Sequence, residues 1–276
     1  MIATATDIIQ QLTDLPPFPK VTARLLAMLE DDSVSSSQLA SVLSSDPALT
    51  VKVIRMANSP FYMLSRRAES IQDAVLVLGT GTLKHLALAV SVHKGLSQFV
   101  PRSQQFEMNA YWKHSYASAT AARRLARTGS PELADKMYLA GLIHDIGKLI
   151  QGFFWPEAWK AAVNLLKTSR QTFEAVEKTY FTLPHFEITT TLCKSWQFSD
   201  SIVELLQEMW DNSDEGTASI GAIQLSTANM IANAGGFIFP QEESCPDCDE
   251  NGADFADMID GLAEDVDHQL ACLGLE

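Results

Sequence analysis

The sequence predicts an all-α fold, and three observations carry that prediction. Apolar residues recur at helical spacing along most of the chain, while the apolar–polar alternation of a half-buried strand is scarce. Helix start and stop signals punctuate it at short intervals: Asp46-Pro47, Ser70 with Asp73, Gly79, Gly129-Ser130-Pro131 and Gly235-Gly236. The composition, 276 residues with 46% hydrophobic and 20% charged, is that of an ordinary globular chain long enough to bury a large core.

Leu15-Pro16-Pro17-Phe18-Pro19 is a rigid extended lead-in, because proline fixes φ and biases the residue before it away from the helix. Val21, Leu25, Leu26 and Leu29 then share one helical face, and Leu39, Val42 and Leu43 another. Asp46-Pro47 places an N-cap side chain before a proline at the first helical position. That helix, through Leu49, Val53, Ile54 and Met56, is expected to stop near Asn58-Ser59-Pro60. Ser70 to Asp73 reads as a capping box with aspartate in the usual glutamate place, opening a helix through Ala74, Val75 and Leu78 that stops at Gly79. Thr82 to Ser97 is apolar enough to be central in the core. Helices over Ala110 to Arg127 and Leu133 to Ile150 follow. Then come Pro156 to Lys167, Gln171 to Tyr180, His185 to Trp196, Ser201 to Trp210 and Ile220 to Ala234. Short connections between so many helices suit a bundle.

Charge is distributed unevenly. Of the net −14, residues 241–276 supply twelve acids and no lysine or arginine, whereas the first 240 residues carry 22 acids against 20 bases. Neither part is built to neutralise phosphates, so nucleic acid is not an expected partner. Met1 to Asp14 has no basic, apolar leader pattern, and no uninterrupted run of about 18 apolar residues exists, so neither a secretory signal nor a membrane partner is expected. Four cysteines, only Cys245 and Cys248 paired as C-x-x-C, fit a reduced cytoplasmic setting. That pair reads either as a redox pair or half zinc site, or as an incidental surface pair in the acidic linker from Phe239 to Gly252.

The tail carries its own pattern. Phe255, Met258, Ile259, Leu262, Val266, Leu270 and Leu273 form one helical stripe, with most acids off it. This predicts an amphipathic helix from Ala253 to Leu273, with Gly261 its weak point. Its apolar face would dock on the helical body or on a second subunit, which leaves a homodimer open, with its acids near Arg123, Arg124 and Arg127.

The sharpest chemical signal is Leu139-Ala140-Gly141-Leu142-Ile143-His144-Asp145-Ile146-Gly147-Lys148. Within one helix His144 and Asp145 would diverge by roughly 100°, yet could reach one ion or let the carboxylate bridge two. Lys148, one turn on, could meet a phosphate. The same residues also read as a helical histidine bonded to a neighbour beside an Asp145–Lys148 pair at i,i+3. His114 and His185 lie on other helices. Three histidines and an aspartate on three helices is the way helical metallohydrolases assemble their sites. His85 and His93 read as surface or core-edge histidines.

Leu139 to Lys148 with His114 upstream resembles the HD superfamily of metal-dependent phosphohydrolases. Further stretches resemble the HDOD domain, the HD-related output domain of bacterial signalling proteins: Leu15-Pro16-x-x-Pro19, Asp46-Pro47-Ala48-Leu49-Thr50, Ala57-Asn58-Ser59, Ile71-x-x-Ala74-x-x-x-Leu78-Gly79, and His185 with Trp196 eleven residues on. The resemblance covers about residues 12–236. It implies an HD/phosphodiesterase-like helical bundle. An N-terminal helical part would span 1–108, the HD-like bundle 109–238, and linker and tail 239–276.

The resemblance also implies metal ligands at His114, His144, Asp145 and His185, and catalytic candidates at Asp145 and Lys148. Two departures stand out. Asn229 occupies the place of the pattern's late aspartate, and an amide is a weaker ligand than a carboxylate. Met209-Trp210 falls where the related HD-GYP phosphodiesterases have a pair of histidines, and Asp211-Asn212-Ser213-Asp214 replaces their GYP segment. What is left suits one weakly held divalent ion (iron, manganese, magnesium or zinc), or a metal-free polar cluster in which Asp145 holds the histidines. The implied function is a non-catalytic signalling module that binds a protein partner or a small effector. The alternative is a metal-dependent phosphohydrolase acting on a nucleotide or phosphodiester.

Overall fold

Local caps seen in the sequence open several helices of the chain. The structure, a computed structural model, describes residues 5–15, 20–28, 34–58, 66–130, 133–169, 171–211, 218–240 and 255–273, and among these there is no strand. Pro16 to Pro19, Leu29, Ser59, Pro60, Pro131, Asn212 to Asp214, Cys245, Cys248 and Ala253 lie outside the described residues. The chain divides into two units, Pro17–Gln98 with Asp267–Glu276, and Met1–Pro16 with Phe99–Val266.

In the first of these units, helices α2 (Lys20–Ala27), α3 (Ser36–Ser44) and α4 (Pro47–Ala57) pack on α5 (Ile71–Leu96). Asp46 caps α4 as the sequence predicts, its side chain accepting from the N–H groups of Ala48 and Leu49. Its second oxygen takes the Lys94 ammonium at 2.6 Å, and that hydrogen bond, against the cost of burial, holds the Asp46 carboxyl below its ordinary value. The Ser70–Asp73 capping box also forms, and at Gly79 (φ 78°) the helix is interrupted where a stop is predicted. Asn58 clamps the returning chain, bonding both the N–H and the carbonyl of Ala68 at 2.8 and 2.7 Å. By length and composition α5 could cross a membrane, although polar and charged residues such as Lys84 and His85 interrupt its apolar run. Its apolar residues serve as core instead: Leu83, Ala87, Leu88, Val90 and Leu96 are wholly buried.

The other unit holds α1 (Ala5–Thr13), α6 (Met108–Gly129), α7 (Ala134–Ile143), α8 (Ile146–Phe154), α9 (Pro156–Thr168), α10 (Phe173–Tyr180), α11 (His185–Ser195), α12 (Asp200–Trp210), α13 (Ile220–Ala234) and α14 (Ala256–Ile259). The sequence reading missed α1, which packs on α11 and buries Ile8 and Leu12. Helix α6 is central: α7 and α13 pack along it, and Gly141 brings α7 so close that a Cβ there would sit 2.7 Å from the Ala119 Cα.

Two expected helices are broken. The one expected from Leu133 to Ile150 ends at Ile143 and restarts at Ile146, so His144 and Asp145 form the turn between α7 and α8. The one expected from Ala253 to Leu273 is interrupted at Asp260-Gly261, with Gly261 at φ 67°, and resumes as α15 (Leu262–Leu273). Here the glycine's left-handed conformation ends one helix and turns the chain into the next. The tail docks as expected, with Leu262 and Val266 wholly buried. Of the three predicted bases Arg124 makes the junction, donating to the carbonyls of Met258 and Asp260 and pairing with Asp265 at 2.8 Å.

Candidate metal centre

The turn between α7 and α8 is maintained by a hydroxyl from α11. In an unbroken helix the Gly147 N–H would donate to the Ile143 carbonyl. It donates instead to Thr189 Oγ1 at 2.9 Å, and the Lys148 N–H closes a tighter loop onto the Asp145 carbonyl at 3.0 Å. Thr189 Oγ1 also lies 3.1 Å from the His144 carbonyl. A Cβ at Gly147 would run into the carbonyl of His185, so glycine is what lets α11 approach. The estimate of two side chains diverging along one helix therefore does not apply. The break turns both inward.

Four predicted residues meet here. His114 Nε2 lies 3.2 Å from His144 Nε2 and 3.3 Å from Asp145 Oδ2, and His144 Nε2 lies 3.6 Å from that same oxygen. His185 Nε2 faces the other oxygen, Asp145 Oδ1, at 3.5 Å. Lys148 Nζ donates to Asp145 Oδ2 at 2.8 Å and to the Phe239 carbonyl at 3.2 Å, and lies over the Phe173 ring. The i,i+3 pair of the plainer sequence reading is thus present, within the cluster rather than instead of it. All five side chains are buried.

Hydrogen bonding fixes which ring nitrogens are bare. A carbonyl oxygen only accepts, so His114 Nδ1, 2.6 Å from the Phe237 carbonyl, and His144 Nδ1, 2.8 Å from the Gly141 carbonyl, must carry the protons. His185 Nδ1 likewise faces a carboxylate, Glu177 Oε2, at 2.9 Å. In the neutral rings all three Nε2 atoms then present lone pairs to Asp145. Burial lowers His144 to about 4 despite the opposing pull of Asp145, so its ring is neutral at pH 7. Burial alone would raise Asp145, but the positive charge around it, from His144 when protonated and from the Lys148 ammonium that remains once the rings are neutral, outweighs it and holds the carboxyl well below the usual range. Asp145 in turn outweighs burial to raise Lys148.

Lone pairs and carboxylate oxygens therefore converge with one donor, Lys148, among them. Asp145 Oδ1 and His185 Nε2 are buried and make no hydrogen bond. A divalent cation satisfies this set: histidine and carboxylate ligands suit zinc, iron and manganese, and His114, His144 and Asp145 offer ligand atoms within 4.8 Å of one another.

The walls bear on chemistry. Trp210 packs edge-on against His185 and stacks on Phe186. Phe106, Trp159 and Phe239 form an aromatic cluster, with Phe173 joining Trp159 to His185. Asn229 lies half-buried on α13, its Oδ1 without a hydrogen bond. Sequence reasoning missed Glu177, Thr189 and the carbonyls of Phe237 and Phe239. Glu177 resembles any acid on a surface helix, and a backbone carbonyl leaves no mark in a sequence.

Comparison with known proteins extends these findings. The HDOD domain profile matches residues 15–212. An HDOD domain protein of unknown function from Geobacter sulfurreducens superposes with a TM-score of 0.82 at 22% identity, over 97% of this chain and 96% of its own. A candidate phosphohydrolase of Shewanella amazonensis SB2B superposes with a TM-score of 0.71 at 26% identity, over 99% of both chains. An uncharacterized protein of Treponema pallidum (strain Nichols) is 22% identical over 204 residues, which make up 74% of this chain and 39% of that protein. The chain thus spans about two-fifths of the length of this curated relative.

Proposed function

The chain belongs to the HDOD family, a branch of the HD superfamily, and from that premise we propose that it is a signal-transduction module whose HD-type centre holds one divalent cation without turning over phosphodiesters. His114, His144 and Asp145 would hold the ion, with His185 completing the set from the far side of Asp145. The observation that carries this reading is closure. His114, His144, Asp145, His185 and Lys148 are all 5% exposed or less. A catalytic metal keeps a position open for water or substrate, whereas a structural one is enclosed by its protein ligands. Lys148, which could have met a substrate phosphate, is engaged by Asp145 and the Phe239 carbonyl. The module would act by binding a signalling protein or a small effector.

The second reading, a metal-dependent phosphohydrolase, draws on the retained ligand set and on the likeness to the candidate phosphohydrolase of Shewanella amazonensis SB2B. A cation would there supply Lewis acidity toward a phosphoryl oxygen. Lys148 would have to leave Asp145 to reach the phosphate. Assay of the purified chain with manganese or iron against cyclic dinucleotides and bis-p-nitrophenyl phosphate separates the two. The proposal expects no turnover above background, and turnover lost in His144→Ala supports the hydrolase.

A further inference from the structure

We propose that Glu177 is a positioning residue that fixes the His185 ring with its proton on Nδ1 and its Nε2 lone pair aimed at the cation site. The proposal rests on reading the centre as a cation site.

Glu177 is 2% exposed, and its two oxygens have divided tasks. Oε1 accepts from the Gln151 side chain and from the backbone N–H of His185, the first residue of α11. Oε2 faces His185 Nδ1 at 2.9 Å. Gln151 also reaches the Leu183 carbonyl at 3.3 Å, which orients its amide so that nitrogen, not oxygen, meets Glu177. The carboxylate is therefore held from one side and holds the ring from the other.

A merely space-filling role does not account for this choice of residue. Burying a carboxylate is costly, and an amide could accept from the His185 N–H equally well. Only a carboxylate accepts through both oxygens, so only it compels Nδ1 to be the protonated nitrogen. Nε2 is left bare 3.5 Å from Asp145 Oδ1, and neither atom makes a hydrogen bond. Two buried acceptors facing one another call for a cation, or a further proton, between or beside them. His114 and His144 are oriented by backbone carbonyls, whereas His185 is oriented by a side chain. Its tautomer can be changed by one substitution. Carboxylate support of a ligating imidazole is a general device of metal sites, and its loss typically weakens metal affinity about 10- to 100-fold.

The test uses the full chain, ¹⁵N-labelled and freed of metal, at pH 7.5. Long-range ¹H–¹⁵N spectra of the wild type are expected to show His185 protonated at Nδ1. In Glu177→Gln the amide can donate to Nδ1, and the proton is expected to move to Nε2 while His114 and His144 keep theirs. Calorimetric titration with zinc or manganese is then expected to show affinity reduced about 10- to 100-fold. A wild-type His185 protonated at Nε2 overturns the proposal without any variant, which covers the case in which Glu177→Gln fails to fold. Metal affinity within twofold of wild type in a folded Glu177→Gln overturns the role of Glu177 alone. Wild-type protein that binds no metal overturns the cation reading, and this role with it.

Discussion

The indole of Trp210 stands edge-on to the imidazole of His185, ring centres 4.7 Å apart and planes at 88°. This side chain fills space beside the centre and offers no ligand. Trp210→Ala should leave a cavity against His185 and Phe186 and destabilise the chain by about 3 kcal/mol. Urea denaturation measures it, and a loss under about 1 kcal/mol would mean that the indole is not packing the wall.

Gly147 and Gly81 should respond in opposite directions to alanine. At Gly147 the new methyl meets the His185 carbonyl, and backbone cannot step aside cheaply, so more than about 3 kcal/mol should be lost. At Gly81, in α5, nothing lies within 4 Å, and alanine should be neutral or stabilise by up to about 1 kcal/mol. Thermal unfolding of both variants checks the pair.

The tail's attachment depends on Arg124. Removing its bonds to Met258, Asp260 and Asp265 in Arg124→Ala should cost about 1–2 kcal/mol and speed amide exchange across residues 255–266 by about tenfold. Arg124→Lys should not restore slow exchange, because one ammonium cannot serve three acceptors in the guanidinium's geometry. Unchanged exchange in Arg124→Ala would mean that burial of residues such as Leu262 and Val266, not the arginine, anchors the tail.

Acid should weaken the metal-free chain in a defined window. Burial holds His144 at about 4, and burial with the Lys52 charge holds His93 at about 4, against 6.5 for a free histidine. The unfolded chain therefore binds protons first. The stability these rings represent is present above about pH 6.5 and is lost as pH falls toward 4, by up to a few kcal/mol. Asp145, also depressed, adds a further loss below about pH 4. Urea midpoints at pH 7.5, 5.5 and 4.5 should fall in that order, and a flat series would contradict the assignment of neutral buried rings.

How far this was legible in the sequence varies with range. Caps such as Asp46 and the Ser70–Asp73 box depend on residues two to four positions apart, and they formed as read. Convergence of His114, His144, Asp145 and His185 followed from motif spacing and is present at 3.2–3.6 Å. The break at His144-Asp145 was not legible, because local periodicity is apolar and helical throughout. What interrupts it is Thr189, forty-two residues from Gly147, acting across the bundle. Glu177 and the Phe237 and Phe239 carbonyls escaped for the same reason. Their roles come from tertiary neighbours, not from local pattern.

The closed HD-type centre is expected to hold one cation. Metal content of the chain after loading with zinc or manganese and desalting tests it most directly, read by elemental analysis beside His144→Ala. About one ion per chain is expected in the wild type and none in the variant. Wild-type protein that retains no metal, or a His144→Ala variant that retains as much, would contradict it.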